Sequence, residues 1–322
     1  MTDLDTPKLD LHSAKRVCES VEANVGKVIQ GKELEIRRAL SCWIAGGHVL
    51  LEDVPGTGKT MLARALARSV NTHTKRIQFT PDLMPNDIIG SSVYQRDKGT
   101  FQFIPGPIFT NVLMADELNR ATPRTQSALL QAMAEGLCTA ENQTYTLPSI
   151  FFVIATQNPV EQHGTFPLPE AQLDRFLIRL SLGYPDMNTE KKIIVSQLIN
   201  HPIDSLEPVC SEADWRGVRE LMKTIEVSEG ILNYAMGLVN ATRQDQRLTL
   251  GCSPRATLAL IRLGQAFAVM SGENFVKPDF IKKLAPSVME HRLILSPKSR
   301  MERIRESHIV SEILARIPVP IN

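Results

Sequence analysis

A chain of 322 residues with 43% hydrophobic and 22% charged side chains can bury a sizeable core and exceeds one average domain, which excludes a wholly disordered protein. The 36 Lys and Arg residues balance 35 Asp and Glu residues to a net charge of +1, so the chain as a whole does not attract a polyanion such as nucleic acid. Five scattered cysteines without a CxxC pair predict buried thiols in a reducing compartment, and no apolar run is long enough to cross a bilayer, so we expect a cytoplasmic protein.

Strand-like and helix-like segments alternate through the first half of the chain. Residues 31–45 carry apolar side chains at helical spacing, and Gly46 and Gly47 can end that helix. The run HVLLED at 48–53 is apolar and then meets a Pro/Gly loop, as a buried parallel strand does. Further strand-like runs are found at 75–80, 111–116, 150–156 and 177–182. Strands separated by helices predict an α/β fold in which a parallel sheet lies between two layers of helices.

Two segments interrupt this alternation. Residues 81–110 contain several Pro and Gly residues and include VYQRDKGTFQFIPG, which predicts an inserted hairpin or short helix. Residues 137–148 predict two short strands around Asn142. Plain surface loops are the alternative for both segments.

Beyond about Pro185 the strand pattern gives way to helical segments, several of which open on Ser or Thr as helix N-caps do. We therefore predict an αβα domain with an N-terminal helix over residues 1–186 and a smaller all-α domain over residues 187–322. Neither a repeat nor a low-complexity linker marks the boundary in the sequence.

The sequence PGTGKT at 55–60 resembles a phosphate-binding loop, although the strict pattern G-x-x-x-x-G-K-[ST] expects glycine where this chain has Asp53. Gly56 and Gly58 lie where the backbone must approach the phosphates, Lys59 would reach the β- and γ-phosphates, and Thr60 would offer its hydroxyl to Mg²⁺. Asp53 lies at the end of the strand and need not touch the phosphates. A glycine-rich turn with a chance GKT is the alternative, but a strand before and a helix after favour a nucleotide loop. The predicted nucleotide-binding residues are Pro55, Gly56, Thr57, Gly58, Lys59, Thr60 and Met61.

An acidic pair follows the apolar strand in NVLMADELNR. Asp116 is placed to hold the metal ion through water, and Glu117 to polarise the attacking water. Such a pair is often only a helix-start charge, so it supports an ATPase site chiefly in combination with the phosphate loop.

Three further polar residues are candidates for contact with the γ-phosphate. Asn158 follows the strand IFFVIAT, where a side-chain amide could orient the lytic water, although Asn before Pro is commonly a turn residue. Arg175 follows a short helical turn and could neutralise transition-state charge in its own or a neighbouring subunit. Arg255 follows Ser253, a predicted N-cap, and Pro254, a predicted first helical residue. Its charge therefore opposes the helix dipole, which favours contact with an external anion. Ordinary surface arginines are the alternative for Arg175 and Arg255.

These motifs occur in the order of the AAA+ ATPases. The chain further resembles the MoxR family in five segments, LEDVPGTGKT, RIQFTPDLMPNDIIG, ADELNRATPRTQSALLQAMAEG, ATQNPVEQHGTFPLPEAQLDRF and SPRA. The similarity runs from about Val28 to about Leu295. Within that family Asp53 is ordinary, so its departure from the strict loop pattern leaves nucleotide binding intact.

The resemblance implies a Walker A pair, Lys59 and Thr60, and a Walker B pair, Asp116 and Glu117. It also implies that Asn158 is the sensor 1 residue and that Arg255 is the sensor 2 residue. Arg175 would be the arginine finger acting in trans, with Arg120 and Arg124 as alternative fingers. It implies ATP and Mg²⁺ as cofactors, a ring that is usually hexameric, and a helical lid. The segments 81–110 and 137–148 match the extra elements of the helix-2-insert branch, which tend to face the ring centre or a client.

The resemblance also implies a chaperone-like machine that matures metalloenzymes or envelope-associated complexes. Such proteins commonly act with a partner that carries a von Willebrand factor A domain. A nucleic-acid motor is a rival, but near-zero net charge and the absence of a GAFTGA loop count against it, so no direct nucleic-acid contact is expected. A magnesium-chelatase ATPase subunit is a rival that resembles this chain more closely, although the sequence ADELNRATPRTQSALL favours the MoxR family. A scaffold that binds nucleotide without hydrolysis is a third rival, which the intact acidic pair argues against.

Overall fold

The computed structural model describes residues 6–140, 143–157, 164–199 and 201–320. Its helices are α1 (Leu11–Gly26), α2 (Glu33–Ile44), α3 (Lys59–Ser69), α4 (Pro85–Ile89), α5 (Pro123–Glu135), α6 (Glu170–Leu173), α7 (Met187–Ile199), α8 (Glu212–Met222), α9 (Glu229–Arg243), α10 (Pro254–Ser271), α11 (Pro278–Met289), α12 (Pro297–Met301) and α13 (Glu306–Arg316). Its strands are β1 (Val49–Glu52), β2 (Thr74–Gln78), β3 (Gly90–Gln95), β4 (Thr100–Pro105), β5 (Val112–Asp116), β6 (Leu137–Ala140), β7 (Gln143–Thr146), β8 (Phe152–Gln157), β9 (Ile178–Leu180), β10 (Leu248–Leu250) and β11 (Ile294–Leu295).

Five of these strands form a parallel sheet in the order β2-β5-β8-β1-β9, which confirms the predicted fold class. The inner strands β1, β5 and β8 are buried along almost their whole length, which explains their continuous apolar sequences. The edge strand β2 is mostly exposed and carries charged side chains, as edge strands commonly do. Because all five strands run the same way, the residues that follow β1, β5 and β8 meet at one edge of the sheet.

Helices cover the two faces of the sheet with separate cores. On one face, α4 and α5 pack with apolar side chains such as Phe79, Leu129 and Phe176. On the other face, α1, α2 and α3 share one continuous core with the helices that follow residue 187. Trp43 lies at its centre, because its ring stacks on Phe152 with centroids 5.4 Å apart and contacts the ring of Trp215 at 4.9 Å. The αβα part and the helical part are therefore joined by hydrophobic packing.

Both segments that interrupt the αβα alternation form regular structure. The segment 81–110 contains α4 and the antiparallel hairpin β3–β4, and the segment 137–148 contains the hairpin β6–β7. The predicted turn residue Asn142 lies outside the described residues. The rings of Phe103 and Tyr145 stack at 4.2 Å with planes 15° apart, so the two hairpins contact each other.

Helices α7 to α13 make up the rest of the chain, together with a short antiparallel pair of β10 and β11. That pair is too short for a period-two pattern to show in the sequence. The boundary at residue 186 stays a prediction, although α7 does begin at Met187. Within the described ranges, no helix has the length and hydropathy that a bilayer span requires.

All five cysteines are free thiols, and four of them are buried. Burial raises the pKa of Cys18 and of Cys210 to about 12 and that of Cys252 to about 11. These thiols are therefore protonated at neutral pH and poorly nucleophilic, which confirms the prediction of buried free cysteines.

Candidate nucleotide-binding site

The phosphate-binding loop connects the end of β1 to the start of α3. Gly56 and Gly58 have φ angles of +87° and +90°, in the left-handed region that side chains with a Cβ rarely adopt. In the described part of the chain no atom lies within 4 Å of the position that a Cβ on Gly56 would take, so backbone angle and not crowding demands glycine there. The loop thereby presents its backbone N–H groups and the N-terminus of α3 on one side.

Lys59, the first residue of α3, turns its side chain back across the loop. Its Nζ donates hydrogen bonds to the carbonyl oxygens of Asp53 at 2.8 Å and of Val54 at 3.2 Å. The ammonium group is thus held at the loop by neutral acceptors and has no carboxylate partner among the described residues. Neutral acceptors are weaker partners for a cation than an anionic oxygen is.

The side chain of Asp53, at the position where the strict pattern has glycine, points away from the loop. Its carboxylate is buried and accepts hydrogen bonds from Ser181 Oγ at 2.9 Å, from the backbone N–H of Gly183 at 3.0 Å and from that of Leu182. These three residues begin the connection from β9 to α7. Asp53 therefore fastens the end of β1 to the segment that leads from β9 into α7, and the expectation that it need not touch the phosphates agrees with its position.

The acidic pair lies at the end of β5, next to β8. Thr156, on β8, donates its hydroxyl hydrogen to Asp116 Oδ1 at 2.6 Å and accepts the backbone N–H of Glu117 at 2.8 Å. Glu117 has φ +56° and ψ +48°, a left-handed conformation that is strained for a residue other than glycine and occurs often at functional sites. Thr156 fixes both acidic residues, and the sequence analysis did not single it out.

Two side chains on the edge strand β2 face the same acids. Arg76 forms an ion pair with Asp116 Oδ2 at 2.6 Å and donates to Gln78 Oε1 at 2.8 Å. Gln78 in turn donates to Glu117 Oε2 at 2.7 Å, and Arg120 pairs with the same oxygen at 3.2 Å. Arg76 and Gln78 could not be identified from the sequence, because only the parallel pairing of β2 with β5 brings them beside the acids.

The phosphate-binding loop, the acidic pair, Arg76 and Thr156 share one cleft of about 320 Å³, which we call the P-loop cleft. It is lined by Pro55, Gly56, Gly58, Lys59, Thr60, Met61, Arg76, Asp116, Glu117 and Thr156. All the predicted nucleotide-binding residues except Thr57 line it, as does the predicted acidic pair. Thr57 lines a neighbouring cleft on the other side of the same loop.

That neighbouring cleft, which we call the base cleft, measures about 380 Å³. Ile29 from the segment after α1, Tyr184 and Pro185 from the segment before α7, and Ile193 from α7 line it together with the loop. Lys32 Nζ donates to the Tyr184 carbonyl at 3.1 Å and so closes one side. Val28 and Ile29 are evident in the sequence as an apolar pair, but no sequence pattern predicts that Ile29 lies beside Tyr184, which is 155 residues further along the chain.

The two arginines predicted to contact phosphate lie outside both clefts. Arg175 directs its guanidinium to the carbonyl oxygen of Leu130 on α5 at 2.6 Å. Arg255 projects from the N-terminus of α10 beside its predicted N-cap Ser253, is 67% exposed, and lies 3.9 Å from a carboxylate oxygen of Asp174. Asn158 lies outside the described residues. Of the alternative fingers, Arg124 is exposed at the start of α5.

Asp174 also holds the buried Arg292, whose side chain is only 3% exposed, in an ion pair of 2.7 Å. Arg292 donates further to the carbonyl oxygens of Phe176 at 2.7 Å and Leu177 at 3.2 Å, and to that of Val288. Burial lowers the pKa of Arg292, and Asp174 opposes that shift. We call Asp53, Asp174 and Arg292 with their partners the core–lid junction, because Asp174 and Arg292 join the αβα part to the helical part and Asp53 holds the segment that leads into it.

The strand order, the loop after β1 and the acidic pair after β5 define the AAA class of P-loop ATPase folds. Residues 48–178 match the family described as "ATPase family associated with various cellular activities (AAA)", and residues 240–313 match the AAA lid domain. A crystal structure of a protein from Cytophaga hutchinsonii that carries an ATPase assignment superposes with a TM-score of 0.90, at 36% identity and 97% coverage of both chains.

Curated relatives narrow the class to a family. Chaperone MoxR1 of Mycobacterium tuberculosis is 35% identical over 97% of this chain and 83% of its own length, and Protein MoxR of Methylorubrum extorquens is 30% identical over 93% and 94%. The YeaC protein of Bacillus subtilis is 46% identical over 92% of this chain and 93% of its own. The chain belongs to the MoxR family of AAA+ ATPases, which confirms the resemblance found in the sequence.

Proposed function

We propose that the protein binds Mg²⁺–ATP in the P-loop cleft and hydrolyses it. The observation that carries this proposal is the convergence of Lys59, Thr60, Asp116 and Glu117 on one cleft of about 320 Å³. A cation, a hydroxyl and two carboxylates at the carboxyl edge of a parallel sheet are the groups that phosphoryl transfer to water requires.

Each residue has a distinct proposed role. Lys59, which the loop carbonyls hold without an anionic partner, exchanges them for β- and γ-phosphate oxygens. Glu117 accepts a proton from water while the water oxygen attacks the γ-phosphorus, and the bond from that phosphorus to the β–γ bridging oxygen breaks to release ADP. Thr156 keeps Glu117 in its left-handed conformation and so aims the carboxylate.

The donor set at the cleft fits Mg²⁺. Thr60 supplies a hydroxyl and Asp116 a carboxylate, and Mg²⁺ favours a site with one or two such protein groups completed by water and phosphate oxygens. When bound there, the ion neutralises charge on the phosphates. The base cleft fits the nucleotide base, because it adjoins the loop and offers the apolar faces of Ile29 and Pro185.

The arginines and Asn158 have roles that depend on assembly and on nucleotide. We assign Asn158 to the γ-phosphate as sensor 1 and Arg255 as sensor 2. The Arg255 side chain is exposed and lies 3.9 Å from Asp174, a long contact that leaves it free to move. Arg175 acts as the finger in a neighbouring subunit of a ring, a role that measurements of assembly test.

The ring itself is proposed from family membership, with six subunits as the expected number. The protein would use it to remodel or mature client complexes, together with a partner that carries a von Willebrand factor A domain. Chaperone MoxR1 supports the chaperone assignment by its name and by 35% identity over 97% of this chain. Five free thiols favour a reducing compartment, which supports a cytoplasmic location. Residues 1–186 and 187–322 are the proposed nucleotide-binding and lid domains.

Substitution of Glu117 tests the proposal. The E117Q variant should bind ATP normally and hydrolyse it at least about a hundredfold more slowly, because glutamine cannot accept the proton. Steady-state phosphate release and binding of a fluorescent ATP analogue give the two quantities. The matched control is E135Q, at an exposed glutamate at the end of α5, which should behave as wild type. Hydrolysis by E117Q at the wild-type rate would exclude this assignment.

Analytical ultracentrifugation of the wild type, E117Q and R175A with ATP, with ADP and without nucleotide tests the ring. We expect E117Q to assemble with ATP, and R175A to assemble without turning over. A wild type that stays monomeric and hydrolyses ATP at its full rate would rule out both the ring and a trans-acting Arg175.

A further inference from the structure

We infer that Arg76 competes with the metal ion for Asp116, so that its guanidinium must leave the carboxylate before Asp116 can serve Mg²⁺. This inference rests on the proposed nucleotide site and concerns a residue that the proposed mechanism does not use. Arg76 lines the P-loop cleft from the edge strand β2, on the same side of the sheet edge as the acidic pair.

The two oxygens of Asp116 have different partners. Thr156 donates a hydroxyl hydrogen to Oδ1 at 2.6 Å, and Arg76 makes a charge-assisted hydrogen bond to Oδ2 at 2.6 Å. Thr156 is 1% exposed and fixed in β8, so its contact is a permanent part of the fold. The position at Oδ2 is therefore the one that a cation from outside must share with Arg76.

Arg76 is suited to exchange. Its side chain is 53% exposed, whereas that of Asp116 is 14% exposed, so the guanidinium can move into solvent while the carboxylate stays in place. Exposed ion pairs contribute little to stability, because water and salt compete with both partners. The 2.8 Å bond to Gln78, two residues along the same strand, gives the guanidinium a second polar contact near the cleft.

The charge balance gives the direction of the effect. A guanidinium at Oδ2 neutralises the carboxylate and repels a divalent cation, so removal of Arg76 should tighten metal binding. A pair of this exposure corresponds to a change of roughly two- to fivefold in the apparent metal affinity. An isolated Mg²⁺ ion is thus disfavoured at Asp116, while Mg²⁺–nucleotide, which also gains the contacts of the loop, can displace Arg76.

Binding of the hydrolysis-resistant analogue mant-AMPPNP, measured by fluorescence in EDTA and across a series of free Mg²⁺ concentrations, tests the inference. In R76A the free Mg²⁺ concentration that gives half of the metal-dependent gain in nucleotide affinity should fall roughly two- to fivefold. Affinity in EDTA should stay within about twofold of wild type. R76K, which keeps a cation, should return toward the wild-type value.

The matched control is K75A, which removes one exposed positive charge from the adjacent position of β2. It should match wild type, and thermal unfolding should verify that all variants are folded. An unchanged or higher Mg²⁺ requirement in R76A overturns the inference, as does weaker binding in EDTA, which would make Arg76 a phosphate ligand. If wild type fails to bind mant-AMPPNP with or without Mg²⁺, the proposed nucleotide site itself is wrong.

Discussion

The P-loop cleft and the core–lid junction both contain buried or half-buried charges, but their partners differ in kind. In the cleft, Lys59 is held by two backbone carbonyls, and Arg76, which pairs with Asp116, is 53% exposed. In the junction, the side chain of Arg292 is 3% exposed and bonds to Asp174 and three carbonyl oxygens. The cleft is therefore built from contacts that a ligand can replace, whereas the contacts of Arg292 in the junction are shielded from solvent.

The largest effect should come from breaking the junction at Arg292. In R292A, Asp174 loses its closest ion-pair partner and three carbonyl oxygens lose a donor. Removal of one partner from a buried pair costs roughly 3–5 kcal/mol, so the free energy of unfolding should fall by that amount. Denaturant unfolding measures it, with R262A, at an exposed arginine of α10, as the control. A loss under about 1 kcal/mol would show that the junction is no more fixed than the cleft.

A second test changes Asp53 to the glycine of the strict phosphate-loop pattern. D53G completes that pattern but leaves the N–H groups of Leu182 and Gly183 without their acceptor. An unpaired buried donor costs roughly 1–3 kcal/mol, and the partly buried N–H of Gly183 costs less than the buried N–H of Leu182, so we expect D53G to be less stable by roughly 2–4 kcal/mol. It should also bind nucleotide more weakly, because Gly183 and Tyr184 line the base cleft.

Chemical denaturation and mant-AMPPNP binding measure the two effects of D53G. The control D97G makes the same change in the exposed turn between β3 and β4, where stability should change little. Tighter nucleotide binding by D53G than by wild type would contradict our account and make Asp53 a defect of the loop.

The smallest effect is a pH dependence that originates in the core. His48 is fully buried, with Nε2 at 3.1 Å from the Met133 carbonyl and Nδ1 accepting the Val153 N–H at 3.0 Å, and burial lowers its pKa to about 4. Its ordinary pKa is about 6.5, so between these values the unfolded chain binds more protons than the folded one. The contribution of His48 to the free energy of unfolding is therefore fully present above pH 6.5 and is lost as the pH drops toward 4. The loss between pH 7 and pH 5 is about 2 kcal/mol.

The free energy of unfolding, measured with denaturant across that pH range, should depend less steeply on pH in H48Q than in wild type. The slope that remains is assigned to His291, whose pKa burial also lowers well below its ordinary value. H73Q, at an exposed histidine, should keep the wild-type slope. Equal slopes in wild type and H48Q would exclude His48 as the source.

Sequence alone predicted the elements whose signal is local. The five strands of the sheet, the loop at 55–60 and the N-cap at Ser253 each show within a few residues, and the structure has them all. The partners of the acidic pair could not be predicted, because Arg76 and Thr156 are 40 residues from Asp116 in opposite directions along the chain. Their positions depend on which strands lie beside β5, and strand order is a property of the whole sheet.

The same limit applies to Asp53 and Asp174. Asp53 was identified as a departure from a pattern, and its acceptor role became visible only with Ser181 and Gly183 beside it. Asp174 stands next to the predicted finger, yet its neighbours Ser253 and Arg292 are 79 and 118 residues away. A carboxylate that joins distant segments leaves no periodic signal in the sequence.

Helix α1 has a consequence for synthesis on the ribosome. It packs on α2 and α3 but also on α8 and α10, and its side chains Ala14, Cys18, Val21 and Val25 are fully buried there. Because α10 ends at Ser271, most of the chain must be translated before that apolar face can be covered, which takes roughly 10–50 s at bacterial or eukaryotic elongation rates. Helix α1 thus leaves the exit tunnel well before the helices that complete its packing are made.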